Sequence, residues 1–372
     1  MAQIGWIHDV KMDDFGAAAA KLARAGRDSL EVDQARTMLS LSKLAFIAVE
    51  PQDAANDDTA QEAHSRLEDA LEICQIQENL SQYFTAMIRS NRDHASELVW
   101  RHRDDVSDKK AVLDAAMLIT TSNCRHDFPA LYIVYNELVR CIWNGHMLSV
   151  EDLVDVLTFP DNMICIDGSS TEDAEQCNAL VRERYSLAVD ILSRASINLS
   201  EQTREATLRT IWRRVFLSDD WPAIHQRIGV NVPDSKLRQE LECTRLYNVL
   251  QSCLTVRELA HPDWYLLPID SFATSDLDYL ASRLAPRFSS DGTPGSEWKP
   301  LSATTSPAIQ KDYSAEDNRL RAAIKCNLGS YYSEILRIVT DQIAYPTRST
   351  NGNSSDMDAQ ASTEDDNMME FD

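Results

Sequence analysis

The chain has 372 residues, with 59 acidic and 36 basic side chains and a formal net charge of −23. Such a field repels phosphate backbones and anionic lipid heads, which sets aside direct nucleic-acid binding and direct membrane contact. With 44% apolar residues but only 10 glycines and 12 prolines, the composition favours helices over many short strands joined by tight turns.

Eight cysteines lack regular spacing, and the N-terminus "MAQIGWIHDVKMDDF" has no secretory apolar region. They read as reduced thiols rather than as a disulfide framework. No apolar run approaches the roughly 20 residues needed to span a bilayer, so the chain reads as soluble.

The first helix is expected over 13–26, where acids open a run of helix formers and Gly26 marks the stop. A second, over 29–51, places Val32, Ala35, Leu39, Ser42 and Phe46 near helical spacing and ends at Pro51. The two make an αα-hairpin. A long pattern free of glycine and proline covers 60–90, with Leu67, Ala70, Leu71, Cys74, Leu80 and Phe84 along one face. Helices follow over 108–119 and 128–143, the latter apolar enough to be buried. Ser149 and Asp152 then form an S-x-x-D cap ahead of Leu153, Val154 and Leu157. "MICI" is the one stretch that could be extended, and it is too short to found a sheet.

Two long helices are expected over 172–217, the second capped at Ser200. Its stripe of Leu208, Ile211, Trp212, Val215 and Phe216 has the spacing of a helix packed on a neighbour, and these residues are the expected structural core. "LSDDWPAI" ends the helix at a corner. Ser218, Asp219 and Asp220 are cap formers, and Pro222 keeps Trp221 out of the helical region. Asp219, Asp220 and the nearby His225 also invite an acid/base reading. Consecutive residues diverge, however, and a catalytic pair must converge on one atom, so the corner reading is preferred.

Pro233 is placed at the first position of the next helix, followed by Leu237, Leu241 and Leu250. The composition changes at Pro286, where prolines, serines, threonines and glycines mark a mobile insertion over about 286–312. A last helix is expected over 314–343. Residues 346–372 read as a disordered acidic tail, with no base beyond Arg348. The fold class that follows is all-α: over 1–345, an elongated, irregular α-solenoid of stacked helical hairpins, each pair hiding its apolar faces against the next.

Candidate chemistry is sparse. Cys124, His126, Cys141 and His146 are residue types that zinc accepts, and a zinc-dependent helical enzyme would use them. Their spacing matches no common zinc pattern, and Cys141 falls on an apolar helix, where free cysteine behaves as a small hydrophobe. Phosphate-cradle, dinucleotide, nucleophile-elbow and H-E-x-x-H motifs are absent, so no enzyme activity and no cofactor are expected. Arg213 and Arg214 flank a core stripe in an acidic chain, which makes them poor nucleic-acid contacts.

Taken in order, "WIHDVKMDDFGAAAAKLARAG", "TMLSLSKLAFIAVE", "LSVEDLVDVLTFPDN" and "AVDILSRASINLSEQTREATLRTIWRRVFLSDDWPAIHQRIGVNVPDSKLRQEL" resemble the C-terminal helical region of scaffold nucleoporins. The resemblance is to the fungal-type, 133-kilodalton class at the stalk tip of the Y-shaped nuclear pore coat complex. It extends over about 6–254. It implies a non-enzymatic scaffold subunit of the pore outer ring at the nuclear envelope, supporting nucleocytoplasmic transport, including mRNA export. The partner it implies is the neighbouring stalk nucleoporin, met by the leading helices. The small residues Gly16 to Ala20 would permit close helix approach there, and Leu22, Leu30, Met38 and Leu41 would serve as anchors. Full-length relatives carry an N-terminal β-propeller with a membrane-sensing loop. This chain has none, so it reads as a fragment, a truncated gene model or a split form, and curvature sensing is not carried over. A vesicle-coat or tethering adaptor is the alternative of the same architecture.

Overall fold

A computed structural model describes residues 4–48, 58–90, 127–159, 172–229, 233–256, 259–284 and 305–344. The helix expected over 108–119, the "MICI" stretch, the tail at 346–372, and Cys124 and His126 lie outside these residues.

Helix α1 (Gly5–Lys11) precedes the expected hairpin and packs on α2 (Phe15–Arg27). Between them Asp13 adopts a left-handed backbone, φ 59°, and the Asp14 carboxylate caps α2 by accepting the Ala17 N–H at 3.0 Å. Gly26 does not stop this helix, contrary to its expected role. It lies inside the last turn, where α3 (Val32–Ile47) comes so close that a Cβ would sit 2.7 Å from Leu39 Cγ and 3.1 Å from the Ala35 carbonyl oxygen. The glycine is there for close approach. Across the same interface the buried Ser42 hydroxyl donates to the Ala19 carbonyl at 2.8 Å.

Helix α4 (Asp58–Ser90) packs against α3 and also against α5 (Pro129–Trp143) and α7 (Glu172–Ala195). Between the last two comes α6 (Val150–Thr158), capped as expected by Ser149, which accepts the Asp152 N–H. Helix α8 (Glu201–Leu217) starts at its Ser200 cap. Trp212, at its centre, is fully buried and donates its indole N–H to the Trp264 carbonyl at 2.7 Å. Leu208, Ile211, Val215 and Phe216 are buried beside it.

The corner leads into α9 (Trp221–Ile228), which ends at Gly229 with φ 68°. Helix α10 (Asp234–Glu242) has Pro233 as its cap residue, one place earlier than expected. After α11 (Arg245–Thr255), three short 3₁₀ turns at Pro262–Trp264, Pro268–Ser271 and Ala273–Ser275 lead to α12 (Leu277–Leu284).

The last expected helix is two. Helix α13 (Thr305–Lys325) begins inside the stretch read as an insertion over 286–312, because Ile309 and Tyr313 already supply a buried helical face and Pro307 sits in the first turn, where proline is tolerated. The helix breaks at Asn327, whose φ of 70° is the left-handed conformation asparagine adopts most readily among non-glycine residues. Helix α14 (Leu328–Ala344) follows.

The described residues thus form an all-α, solenoid-like stack without a strand; the nearest approach is one isolated bridge between Glu31 and His146. The expectation that each hairpin meets only the next does not hold throughout. Helix α13 returns to pack on α5 and α8, far earlier in the chain.

Candidate functional site

Among the described residues, the most concentrated chemistry is buried. On α8, Arg213 and Arg214 share one carboxylate: Arg213 Nε lies 2.7 Å from Glu316 Oε2, and Arg214 Nε 3.1 Å from Glu316 Oε1. Arg214 also reaches Asp155 of α6 at 3.0 Å and the Thr158 hydroxyl at 3.1 Å. Asp155 pairs in turn with Arg283 of α12, which also meets Asp152 at 3.2 Å. Three guanidinium groups and three carboxylates therefore balance one another with almost no exposure.

The electrostatics follow from this pairing. Burial by itself would raise the Glu316 carboxyl, but the Arg214 and Arg213 charges outweigh it and hold the group below the usual carboxylate range. Burial would likewise raise Asp155, and Arg283 and Arg214 reverse it. Both carboxylates are thereby held in their charged form by the guanidinium groups they bind. The effect of the network is to join α6, α8, α12 and α13.

Two other acids of α13 extend the joint. Asp312 accepts the backbone N–H groups of Ala130 and Leu131 at 2.7 and 2.9 Å, capping α5 from across the molecule. Asp317 accepts from the Ala273 N–H at 2.8 Å and the Thr274 hydroxyl at 2.9 Å. Sequence reasoning missed Asp312, Glu316, Asp317 and Arg283, and it treated Arg213 and Arg214 only as neighbours of a core stripe. One signal was present: two arginines next to Trp212 and Val215 on a helix with buried faces both ways must find acids.

At the corner, Ser218 closes α8 with its hydroxyl donating to the Val215 carbonyl at 2.7 Å, and Asp220 caps α9 through the Ala223 N–H at 3.2 Å. Pro222 stands in the first turn of α9 but does not keep Trp221 out of the helix as expected: Trp221 is its first residue, because a proline at the second position still leaves the helix start free. Asp219 does something the sequence did not show. Its carboxylate accepts the N–H groups of Arg245 and Leu246 at 2.9 and 3.1 Å, so it caps α11 rather than its own helix. Burial pushes its pKa up, partly opposed by those two hydrogen bonds. His225 Nδ1 pairs with the Tyr331 hydroxyl at 2.7 Å. Asp219, Asp220 and His225 thus face three separate partners, and no atom is common to them.

The zinc candidates fare similarly. Cys141 and His146 are joined through their backbones at the end of α5, the His146 N–H donating to the Cys141 carbonyl at 2.9 Å. Among the described residues, no group of three histidine, cysteine or acidic side chains is placed to hold a metal ion.

The leading hairpin has an outer surface of a different kind. Leu30 is 79% exposed, and Ile4, Met12, Leu44 and Ile47 are each more than half exposed. The five positions expected to meet a partner divide. Gly16 and Leu30 are exposed, Met38 and Leu41 are partly buried beside Ala18, Ala19 and Ala45, and Leu22 is 1% exposed within that same cluster. Leu22 is an internal packing residue.

A helical stack that neutralises its buried charges internally and leaves apolar side chains outward on its leading helices has the make-up of a protein-binding scaffold. The family model described as "Non-repetitive/WGA-negative nucleoporin C-terminal" matches residues 1–332, and the chain belongs to this nucleoporin family. Nucleoporin nup132 of Schizosaccharomyces pombe (strain 972 / ATCC 24843) is 25% identical over 264 residues, covering 70% of this chain and 20% of the relative. The chain thus spans about a fifth of the length of that relative. No solved structure matches it. Membership of the family places the chain at the nuclear pore complex of the nuclear envelope.

Proposed function

We propose that this chain is a non-enzymatic subunit of the pore's outer-ring coat that docks, through α1–α3, on the neighbouring stalk nucleoporin and so supports nucleocytoplasmic transport, mRNA export included. The observation that carries the reading is the exposed apolar set Ile4, Met12, Leu30, Leu44 and Ile47 on one helical unit. Large apolar side chains left exposed on one helical unit supply the material of a protein-binding face. Interface energy concentrates in a few residues, and among the positions expected from the family resemblance Leu30 is the large apolar side chain exposed enough to be one of them.

The test is calorimetric titration of the stalk nucleoporin with wild type, Leu30→Glu and Leu44→Glu. Both residues are exposed, so circular dichroism of the variants should match wild type, and each charge should weaken binding at least about tenfold. Unchanged affinity in both would move the interface off α1–α3. Loss of binding by Leu22→Glu alone would not count, because that variant damages the hairpin itself.

A further inference from the structure

We infer that α1–α3, together with the first half of α4, opens and closes as a unit of its own, separated from the rest of the stack by a polar junction. The inference does not depend on the identity of any partner.

The apolar clusters show the division. One large cluster runs from Ile76 on α4 through Trp212, Trp221 and Phe216 to Val339 on α14. The leading helices contribute nothing to it. Their buried residues form two small clusters: Ala18, Ala19, Leu22 and Ala45 between α2 and α3, and Val32, Ala35, Leu39, Leu67 and Cys74 between α3 and α4. The boundary crosses α4 around Cys74 and Ile76, within an unbroken helix, where Ile73 already packs on the large cluster from another face. Four of those nine buried side chains are alanine, which removes little apolar area from water, whereas the large cluster holds both fully buried tryptophans.

Among the described residues, most of what crosses the boundary is polar, with Met147 of the α5–α6 connection adding an apolar contact to the smaller cluster. The Val32 N–H donates to the Gly145 carbonyl at 2.9 Å, and the Met147 N–H donates to the Leu30 carbonyl at 2.8 Å, pairing the α2–α3 turn with the α5–α6 connection. Gln77, 1% exposed, clamps that connection from α4: its amide donates to the His146 carbonyl, and its oxygen accepts the Leu148 N–H at 3.1 Å. Arg36 of α3 pairs with Glu78 at 2.7 Å, and Arg194 of α7 with Glu72 at 2.9 Å. Hydrogen bonds and half-exposed ion pairs gain little net stability because water replaces the partners once the junction opens, so a junction made of them gives way before an apolar core does. Units of low local stability are also the ones that binding surfaces are drawn from.

Hydrogen exchange read by mass spectrometry on the full chain, without partner, tests this. The amides of 15–47 should exchange together, with protection at least about a hundredfold below that of α8. Gln77→Ala should lower protection over 15–47 by a further tenfold or so while leaving α8 unchanged. If Gln77→Ala does not yield folded protein, Arg36→Ala, at a half-exposed position, carries the same expectation with a smaller drop. Equal protection of 15–47 and α8 in the wild type would overturn the inference. So would a variant that lowers both equally, or one that lowers neither. Because no partner is present, loss of the docking proposal would leave this result standing, and the reverse also holds.

Discussion

Arg213 Nε lies 2.7 Å from Glu316 Oε2, and neither side chain has any surface open to solvent. Removing one member of such a pair strands the other in a low-dielectric interior, and here the same carboxylate also serves Arg214. Glu316→Ala should therefore cost about 3–5 kcal/mol of folding stability. Urea denaturation checks it, and a cost under about 1 kcal/mol would show that water reaches the arginines.

The same carboxylates set an acid limit. Glu316 and Asp155 have lowered pKa values, so the unfolded chain binds more protons than the native state just below the ordinary carboxylate range. Their contribution is complete above about pH 4.5 and is lost as pH falls through their folded values. Asp219 and Asp312 are shifted the other way, and their contribution declines as pH rises from the unfolded to the folded value. Melting temperature followed from about pH 7 to about pH 3 should fall at the acid end, and Asp219→Asn should make that fall steeper by removing an opposing group. A shallower fall in the variant would contradict the assignment of signs.

Core and corner should separate cleanly. Trp212→Ala removes a fully buried indole and its hydrogen bond to Trp264, and should cost about 3–5 kcal/mol. Asp220→Ala removes one exposed cap and should cost about 0.5–2 kcal/mol. Chemical denaturation of the two variants side by side gives the ordering.

Two glycines of one helix should respond with opposite signs to alanine. Gly26→Ala pushes a methyl group into Leu39 and the Ala35 carbonyl and should cost about 1–3 kcal/mol. Gly16→Ala meets nothing closer than Asp14 Oδ1 at 3.9 Å and should stabilise by up to about 0.5 kcal/mol. Thermal melts monitored at the helical signal distinguish them, and a neutral Gly26→Ala would mean that α2 and α3 part easily.

Much of this architecture was legible in local pattern. Ser149 and Ser200 announced their helices because a cap acts within three residues of itself, and the Trp212 stripe announced a buried face because helical spacing repeats within one element. The misreadings share a cause. Gly26 looked like a terminator because its true neighbour, Leu39, belongs to another helix. Asp219 looked like a cap for the helix beside it because nothing local points to Leu246. The helix at 305 was hidden by prolines and serines whose composition outweighed the spacing of Ile309 and Tyr313. As for the candidate partner positions, the chain pattern marks Leu22 and Leu30 alike as apolar, and only the packed hairpin tells which one faces outward.

The return of α13 has a consequence in time. Glu316 follows Arg213 by 103 residues, and at a synthesis rate of about 5–20 residues per second the ribosome needs about 5–20 s to deliver the acid after the arginine. Throughout that interval a nascent chain that has already made α5–α8 holds Arg213 without its carboxylate and Arg214 with only Asp155 to meet it. Closure of the central stack must wait for the last pair of helices, and until then the unfinished chain offers a basic and apolar surface that a chaperone would recognise.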